Sequence, residues 1–437
     1  MALPRLLLPS LLVLSSSLLL LPTTCHGRTP RHHLPAESAP GHPARRLASA
    51  SASVKLVNVD NYGARANGKD DSAAFLKAWD AACSTEGAVL VIPKDKTYHL
   101  KPTTFSGPCK SNFTFMIYGT IKASTHMSDY KEDARHWLLF ESLDNFTLQG
   151  GRGFINGNGR KWWEKSCKVN KSLPCKAAPT AVTFYKCNNL KVADLIIQNA
   201  QQMHLTFEHC VNVKALNLLI SAPEKSPNTD GIHVANTENI LIKGCVIRTG
   251  DDCISIVTGS KGVLATDIVC GPGHGISIGS LGADNSANYV SNVVIDRARF
   301  TGSTNGVRIK TWQGGSGYAK NIVFQNIQMR NVSNPIIVNQ NYCDQKNPCP
   351  AQASAVKVSD VVYRNIRGTS ATKVAINFDC SKTHPCTGIL LQDIDLSLSV
   401  DVMNPASDSD SKQQSSAAAA TTNYNNVEYK LMGKVSP

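Results

Sequence analysis

The residues best suited to acid–base chemistry lie in three short motifs between positions 228 and 280. Asp230 lies in NTDGIHV, Asp251 and Asp252 lie in GDDCISI, and His274 lies in GHGISIGS. Asp230 and Asp251 are 21 residues apart, and Asp252 and His274 are 22 apart. Carboxylates that share a small site repel each other, so one keeps a proton while another stays ionised. That division supplies the acid and the base that hydrolysis of a glycosidic bond requires.

Two basic residues, Arg308 and Lys310, follow in the motif RIKTWQGG. Side chains two residues apart on a strand share one face of the sheet. Arginine suits bidentate recognition of a carboxylate, and lysine adds a second positive charge. The pair therefore predicts a binding site for a carboxylate, such as that of a uronate, near the acidic residues.

Each motif taken alone also has an ordinary structural interpretation. An Asp-Asp pair on a loop is usually solvated or caps an element, and N-T-D-G is typical of a turn. A histidine between glycines is often a surface residue, and R-I-K is common on an exposed strand face. The four motifs together, at spacings that suit stacked repeats, favour a site over these interpretations.

A short apolar pattern recurs along the chain and predicts how these residues meet. Its copies begin at Asn189, Asn212, Asn239, Gly262, Asn292, Asn321, Asp360 and Gly388. Val, Ile and Leu alternate within each copy, which is typical of short strands with one buried face. The sixth residue of most copies is Asp or Asn, which tolerate the tight bends that separate strands. These residues are Asp194, Asn217, Asp267, Asn326, Asn365 and Asp393.

Such repeats cannot bury an apolar face alone, but they form a continuous core when they stack as coils of a parallel β-helix. We therefore predict an all-β solenoid of this kind, because neither leucine-rich nor propeller signatures recur. Adjacent coils lie about 4.8 Å apart, so Asp230, Asp251 or Asp252, and His274 are expected in one patch. Consecutive aspartates point apart on an ideal strand, so a turn or bulge must aim both at it.

The main helical signal lies near the N-terminus, in DDSAAFLKAWDAAC at residues 70–83. This segment begins with capping-type residues and has a helical apolar period. A short capping helix here would cover the open end of the solenoid and keep its edge from pairing with other chains.

The two ends of the chain differ in composition from the middle. Residues 1–27 contain Arg5, an apolar run and then small and polar residues. This is typical of a cleaved secretory signal, and the run is short of the ~20 residues that a membrane span needs. Residues 28–53 are interpreted as a disordered leader or pro-segment, and residues 404–437 as a low-complexity tail. The β-helix domain is then residues 54–403, and no membrane association is expected after signal cleavage.

The chain is basic, with a formal net charge of +13. Residues 1–53 carry five arginines and one glutamate, so 40 basic and 31 acidic side chains remain, a charge of +9. A basic secreted protein favours an acidic polymer as partner through long-range attraction. Nucleic acid is the other obvious polyanion, but the sequence resembles no nucleic-acid-binding module and secretion argues against it.

The chain has 14 cysteines, and in a secreted protein this number predicts disulfides. Their connectivity cannot be deduced from the sequence, but several cysteines are close enough for local staples. These are Cys167/Cys175, Cys253/Cys270, Cys343/Cys349 and Cys380/Cys386. No Cys/His cluster has the spacing of metal ligands, so no metal is predicted. The sequons at Asn112, Asn145, Asn170 and Asn331 fit a secreted glycoprotein.

The four motifs, in this order, resemble the signature blocks of the polygalacturonases, the family 28 glycoside hydrolases, and most closely those of plants. The resemblance spans roughly residues 54–395 and includes VNVDNYGARANGKDDSAAFLKAW, PTAVTFYKC and NYCD. It implies a right-handed parallel β-helix and inverting hydrolysis of α-1,4-linked galacturonan, without a cofactor. It also implies a secreted, extracellular enzyme of the plant cell wall that acts on pectin, and we expect a monomer that cuts within the chain.

The resemblance further implies a role for each site residue. Asp251 matches the general acid, and Asp230 and Asp252 match the pair that activates water. His274 matches the histidine beside this trio, and Arg308 with Lys310 matches the pair that binds galacturonate. Substrate contacts are also implied for Asn228 and Tyr342. A patch only one strand spacing wide disagrees with the wider carboxylate gap that is usual for inversion.

Three alternatives remain open from the sequence. An exo-acting polygalacturonase would differ only in the loops that close the groove. A pectate lyase would use calcium and a basic residue, and three carboxylates could hold calcium, but RIK and GHG fit a hydrolase better. A non-catalytic wall-binding protein would not need the acidic trio.

Overall fold

The computed structural model describes residues 54–345, 347–399 and 420–436. Within these residues the chain forms two β-sheets, in which neighbouring strands are parallel, and few helices. The predicted signal, the predicted leader and half of the predicted tail lie outside the described residues.

The first sheet, called sheet 1, has one strand from each of eleven coils. Its strands are β4 (Thr103–Ser106), β7 (His136–Glu141), β10 (Thr180–Tyr185), β13 (Leu205–Glu208), β16 (Ile232–Ala235), β19 (Ile254–Ile256), β21 (Ile276–Leu281), β23 (Asn305–Thr311), β25 (Asn334–Asn339), β27 (Val374–Asp379) and β29 (Thr421–Asn425).

The second sheet, called sheet 2, has nineteen strands in two rows that merge into single long strands toward the C-terminus. Its strands are β1 (Leu56–Asn58), β2 (Val89–Ile92), β3 (Thr97–Leu100), β5 (Thr114–Ile117), β6 (Thr120–Ala123), β8 (Thr147–Gly150), β9 (Phe154–Asn156), β11 (Asn188–Ala193), β12 (Ile196–Gln198), β14 (Val211–Leu216), β15 (Leu219–Ser221), β17 (Glu238–Lys243), β18 (Val246–Arg248), β20 (Lys261–Cys270), β22 (Ala287–Thr301), β24 (Ser316–Val332), β26 (Lys357–Ser370), β28 (Cys386–Leu398) and β30 (Val427–Ser436).

Successive coils stack in register where the predicted site motifs lie. Ile232, Ile254, Ile276 and Val307 are direct neighbours on β16, β19, β21 and β23. Each coil runs through sheet 1, then both rows of sheet 2, and returns to sheet 1 one strand further on. Parallel strands joined by such crossovers wind with a right hand. The predicted all-β, right-handed parallel β-helix is confirmed.

The bends between the two rows of sheet 2 are formed by the Asp and Asn residues predicted from the repeat. Asp194, Asn217 and Asp267 have φ of 53°, 53° and 58°, and the bends at Asn326, Asn365 and Asp393 are alike. Asn and Asp adopt this left-handed conformation more readily than other non-glycine residues. Their side chains also form hydrogen bonds between coils. For example, Asn217 Nδ2 donates to Asp194 Oδ1 at 3.0 Å.

The core is a column of apolar side chains inside the solenoid. Its N-terminal part is an aromatic stack of Phe105, Phe140, Phe184 and Phe207, whose ring centroids are 4.9, 5.1 and 5.6 Å apart. These rings occupy the same register position on consecutive strands of sheet 1. Such stacking fills the core and fixes the register of the coils.

Helix α1 (Ser72–Cys83) packs on the first coils and confirms the predicted capping helix. Its buried face includes Phe75 and Trp79, and the Trp79 ring lies 5.0 Å from Phe105 and 4.8 Å from Phe113. The helix begins two residues later than its sequence signal, because Asp71 precedes it as the cap. The other helical segments are α2 (Arg160–Glu164) and three short 3-10 turns, Val59–Tyr62, Met127–Tyr130 and Ala283–Asn285.

The solenoid continues beyond the boundary predicted at residue 403. Strands β29 and β30, at residues 421–436, pair with β27 and β28 as a further coil. Five disulfides join loops and strand ends, and they include all four staples expected from spacing. The fifth, Cys83–Cys109, ties the end of α1 to the solenoid. Among the described residues, no helix has the length and apolarity that a membrane span needs.

Candidate active site

The four predicted acid–base residues lie in the turns that lead into sheet 1. Asp230 precedes β16, Asp251 and Asp252 precede β19, and His274 precedes β21. Backbone hydrogen bonds already join these turns, because Gly231 N donates to Asp252 O at 2.9 Å and His274 N to Asp251 O at 2.8 Å. The solenoid therefore brings three consecutive coils together at one patch, as their spacing predicted.

Asp252 is the most buried of the three aspartates and forms an ion-paired cluster with the two predicted cations. Arg308 Nη2 and Lys310 Nζ donate to its two oxygens at 2.7 and 3.0 Å. Ser277 Oγ donates a third bond at 2.8 Å and accepts one from Arg308 Nε at 2.9 Å. The side chains of Asp252, Arg308 and Lys310 are only 2%, 13% and 10% exposed. Burial strengthens the attraction between the carboxylate and the two cations.

Asp251 and His274 form a second charged pair at the surface of the cleft. His274 Nδ1 lies 3.0 Å from Asp251 Oδ1, and Asn228 Nδ2 donates to Asp251 Oδ2 at 3.3 Å. The hydrogen bond and charge of Asp251 raise the pKa of His274. Burial alone would raise the pKa of Asp251, but the His274 hydrogen bond and charge and the Lys310 charge hold it below its ordinary value. The pair therefore carries its mobile proton on the imidazole.

Asp230 has a different environment, although it lies beside the same residues. Ser255 Oγ donates to Asp230 Oδ2 at 2.7 Å, and no ion pair to its carboxylate occurs within the part of the chain that the structure describes. Burial and the charges of Asp251 and Asp252 raise the pKa of Asp230 well above its ordinary value. At mildly acidic pH in the ligand-free cleft, Asp230 is thus the aspartate that holds a proton.

Sequence reasoning missed four residues that support these aspartates. Ser255 and Ser277 bond to Asp230 and Asp252, and His233 Nδ1 lies 2.7 Å from Ser255 Oγ. The ring of His204, which is fully buried, contacts the Asp230 carbonyl oxygen at 2.9 Å. Burial lowers the pKa of both His204 and His233 to about 4, so both rings are neutral. The serines had a signal, since each is the one polar residue between two isoleucines of its strand.

The glycines of GHG allow this close packing. Gly275 has a φ of 82°, and a Cβ there would lie 2.2 Å from the Asn305 carbonyl oxygen. Only glycine fits a positive φ against the backbone of the next coil.

The distances between the acidic residues and His274 can be compared with the carboxylate spacing expected for inversion and with the requirements of a metal site. Carboxylate oxygens of Asp251 and Asp252 and a ring nitrogen of His274 lie within 4.8 Å of one another. This separation is shorter than the ~6.5–9.5 Å that is usual between the two carboxyl groups of an inverting enzyme. The same atoms could in principle surround a cation, but Arg308 and Lys310 already bind both oxygens of Asp252.

These residues line a cleft of about 540 Å³ on the outer face of sheet 1. Tyr342 forms part of its wall, where its ring lies 5.4 Å from Lys310 Nζ and 5.3 Å from the Trp312 ring. All eight predicted site residues contribute to it: Asn228, Asp230, Asp251, Asp252, His274, Arg308, Lys310 and Tyr342.

One ion pair joins two loops that line the cleft, and we call it the loop bridge. Lys168 Nζ contacts the two oxygens of Asp344 at 2.7 and 2.8 Å. Each residue follows a disulfide-bonded cysteine, Cys167 or Cys343, so the two loops that carry them are stapled. Both side chains remain partly exposed, at 37% and 50%.

Further cavities flank the cleft on either side along the solenoid. Toward the N-terminus, a cavity of about 710 Å³ shares Lys168, Gln202, Pro227 and Asn228 with the cleft. Four basic side chains and no carboxylate line it: Arg135, Lys165, Lys168 and Lys176. Toward the C-terminus, a cavity of about 650 Å³ is lined mainly by neutral polar residues such as Gln313, Asn341 and Gln352. A cavity with positive charge therefore adjoins the cleft on its N-terminal side, and a separate cavity lies further along the solenoid on its C-terminal side.

A solenoid with clustered carboxylates, a proton-carrying histidine and buried cations in a long groove defines a carbohydrate-active enzyme. The family model described as Glycosyl hydrolases family 28 matches residues 83–419. Polygalacturonase QRT2 of Arabidopsis thaliana is 61% identical over 79% of this chain and 78% of its own length. Polygalacturonase-2 of Solanum lycopersicum is 58% identical over 78% of this chain and 75% of its own length.

The fold is also similar to that of a solved enzyme. The solved exopolygalacturonase of Thermotoga maritima superposes with a TM-score of 0.66 at 22% identity, over 79% of this chain and 90% of that one. This chain belongs to the family 28 glycosyl hydrolases and is a glycoside hydrolase. The resemblance to plant polygalacturonases that the motifs predicted is confirmed.

Proposed function

We propose that the protein is an endo-acting polygalacturonase that hydrolyses α-1,4-galacturonosyl linkages of homogalacturonan with inversion. Its relatives in Arabidopsis thaliana and Solanum lycopersicum carry the name polygalacturonase, which supports this substrate. One observation carries the proposal: two buried cations, Arg308 and Lys310, lie within one cleft with the Asp251–His274 pair. A hydrolase specific for uronates needs positive charge for the substrate carboxylate next to its proton donor.

Asp251 is the proposed general acid, and His274 supplies its proton. In the ligand-free cleft this proton lies on His274, because the pKa of Asp251 is lowered and that of His274 is raised. Bound substrate excludes water and brings its own negative carboxylates, and both effects favour a neutral Asp251. The proton then passes from His274 to Asp251 and to the glycosidic oxygen as its bond to C1 breaks.

Asp230 and Asp252 are the proposed pair that activates water. Water attacks C1 on the face opposite the leaving group, and one of its protons passes to a carboxylate. Asp230 is the proposed proton acceptor, because its pKa is raised and its carboxylate has no ion pair among the described residues, whereas two cations already bond to Asp252. A base works best when its pKa lies near the working pH. Asp252 then orients the water and holds Arg308 and Lys310 in place.

Substrate binding is assigned to Arg308, Lys310, Tyr342 and Asn228. Arg308 uses Nε and Nη2 for Ser277 and Asp252, which leaves further guanidinium N–H groups for a uronate carboxylate. Lys310 lies between Asp252 and the Tyr342 ring, a position where it can contact a sugar carboxylate. Asn228 holds Asp251 and faces the N-terminal side of the cleft.

Internal cutting is supported by the cavities that lie along the solenoid on both sides of the site. A polymer can therefore lie across the catalytic residues with sugar units bound toward both ends. The basic N-terminal cavity suits additional uronates. An exo-acting enzyme would require one side to be blocked.

The location, oligomeric state and biological role of the protein are proposed from its sequence and its family. We infer a secreted, extracellular monomer of the plant cell wall that acts on pectin during wall loosening or cell separation. The N-terminal 27 residues have the pattern of a secretory signal, and five disulfides suit an oxidising compartment. Asn112, Asn145, Asn170 and Asn331 are exposed and available for glycosylation.

Time-resolved product analysis on polygalacturonate, with and without a chelator, tests the proposal. We expect saturated oligomers of intermediate length first, chelator-insensitive, and a β-anomer as the first product by NMR. Galacturonic acid monomer alone from the start would replace endo with exo action. Unsaturated product that needs calcium would instead identify a lyase.

The Asp251→Asn variant tests the acid assignment within the same assay. It should bind polygalacturonate like the parent protein but release no new reducing ends, because its amide cannot protonate the leaving oxygen. Persistent hydrolysis would remove Asp251 from this role.

A further inference from the structure

We propose that His233 and Ser255 are positioning residues that allow Asp230, unlike Asp252, to take up and release a proton during each turnover. This inference rests on the proposed hydrolytic function and deepens it. It assigns roles to two residues of the motifs other than the three aspartates, the histidine and the two basic residues named above.

The structural basis is a pair of matching three-residue chains on neighbouring coils. In the first, His233 Nδ1 lies 2.7 Å from Ser255 Oγ, which lies 2.7 Å from Asp230 Oδ2. In the second, Arg308 Nε lies 2.9 Å from Ser277 Oγ, which lies 2.8 Å from Asp252 Oδ1. His233, Ser255, Ser277 and Arg308 are consecutive register neighbours on the outer face of sheet 1. Each aspartate is thus held by a serine, and each serine by one further residue.

The two chains differ in what that further residue can do. A guanidinium has only donors, so Ser277 must accept from Arg308 and give its single proton to Asp252. This arrangement is compatible only with an ionised Asp252 at that oxygen. A neutral imidazole nitrogen can be a donor or an acceptor, depending on the tautomer. His233 can therefore support both states of Asp230.

The two states use the same atoms with reversed hydrogen-bond directions. When Asp230 is ionised, His233 Nδ1–H donates to Ser255, and Ser255 donates to Asp230. When Asp230 is protonated, its hydroxyl donates to Ser255, and Ser255 donates to the bare Nδ1 of His233, whose ring proton is then on Nε2. The change therefore includes a tautomer exchange of the partly exposed ring, in which Nδ1 loses a proton to solvent and Nε2 gains one, while Asp230 takes its own proton from the attacking water. The reversal needs the ring to stay uncharged, and burial lowers the pKa of His233 to about 4. A base that gains one proton per turnover needs such a neutral, reversible support.

Other charged groups act on Asp230, and they must stay constant in any test. Elements packed around it contribute two acids, three cations and two further histidines. These are Asp251 and Asp252 before β19, Lys310 and Arg308 on β23, Arg135 before β7, His274 before β21 and His204 before β13. Substitution of Ser255 or His233 changes no charge among them. A shift in the pH profile then reports on the hydrogen-bond chain.

The experiment measures kcat and KM on polygalacturonate across pH for four variants and one control variant. Ser255→Ala removes the donor that favours ionised Asp230, so the proton affinity of Asp230 rises. Because the active form has Asp230 ionised, the acid limb of kcat/KM should move up by about one pH unit. The alkaline limb, which His274 and Asp251 set, should not move. KM should stay within about twofold, since Arg308 and Lys310 are untouched, while kcat falls about tenfold on the acid side.

His233→Leu should move the acid limb of kcat/KM in the same direction, but by less than Ser255→Ala does. His233→Asn should restore the parental position of this limb, because an amide at this position can donate or accept a hydrogen bond. In Ser255→Ala/His233→Leu the second change should add nothing, since His233 acts only through Ser255. Thr206→Val, one coil earlier on the same ladder, is the matched control and should leave the profile unchanged. Thermal unfolding of each variant verifies that it is folded.

The outcomes separate this inference from the proposed function. If the parent protein hydrolyses polygalacturonate but folded Ser255→Ala keeps the parental pH profile, the positioning role is wrong and the hydrolase stands. Additive effects in the double variant would also overturn it, because they would show that His233 acts independently. If the parent protein releases no saturated oligomers at any pH, the proposed function itself fails.

Discussion

Asp230 and Asp252 lie on adjacent coils, each bonded to a serine on the following coil, yet their surroundings differ in charge. Two cations contact Asp252, whereas a neutral hydrogen-bond chain contacts Asp230. Burial has opposite consequences in the two cases. It strengthens the ion pairs of Asp252, but it favours the neutral form of Asp230 because the charge of Lys310 compensates only in part. Two identical side chains thus acquire distinct roles from the cations that contact Asp252 directly and from the residue behind each serine.

The difference in surroundings between Asp230 and Asp252 is tested most strongly by the matched variants Asp252→Asn and Asp230→Asn. Asp252→Asn leaves two buried cations without a partner, and we expect it to lower the free energy of unfolding by about 3–5 kcal/mol. Asp230→Asn should change it by less than ~1 kcal/mol, since the amide oxygen still accepts from Ser255. Both should lose about 10³-fold or more in kcat. Urea unfolding and reducing-end assays measure these effects, and equal destabilisation would show that the two sites do not differ in charge pairing.

A second prediction concerns the pH dependence of stability. A carboxyl whose folded pKa is raised stabilises the native state at low pH, and this contribution is lost as pH rises from the unfolded toward the folded pKa. Asp230 therefore makes the parent protein lose stability across the mildly acidic range. Asp230→Asn should remove this slope. Unfolding free energies at a series of pH values measure it, and an unchanged slope would assign the effect to another group.

A smaller effect is expected from Ser277→Ala, the counterpart of Ser255→Ala. Asp252 keeps both cations, so the acid limb of the pH–rate profile should not move. Loss of one hydrogen bond should cost about 1 kcal/mol of stability. A shift of the acid limb as large as that caused by Ser255→Ala would mean that His233 and Arg308, which bond to the two serines, do not distinguish the aspartates.

The smallest effect is expected at the loop bridge, an exposed ion pair that can be compared with the buried ion pairs of Asp252. Lys168→Gln should change the unfolding free energy by less than ~1 kcal/mol, because exposed pairs contribute little and are screened by salt. Thermal unfolding at low and high salt measures this. A loss comparable to that of Asp252→Asn would show that burial does not distinguish the two ion pairs.

The sequence predicted most of the fold because the same physical pattern recurs at each coil. Alternating apolar residues are followed by Asn or Asp bends, so Asp194 and Asn217 could be assigned to turns before any coordinates. The last coil, β29 and β30, was not predicted, because its strands follow a low-complexity segment and carry few buried residues. The pairing of Cys83 with Cys109 was also not predicted, since these cysteines are 26 residues apart.

The sequence by itself determined which residues meet, since spacing near one coil length places Asp230, Asp251, Asp252 and His274 in successive layers. It also identified Arg308 and Lys310 as neighbours on one strand face. Only the tertiary structure decided how the protons are distributed among them. Proton affinity depends on burial, on the direction of each hydrogen bond and on charges within a few ångströms. Those quantities follow from contacts between Ser255, His233 and Asp230 across two adjacent coils, and no local pattern in the chain encodes them.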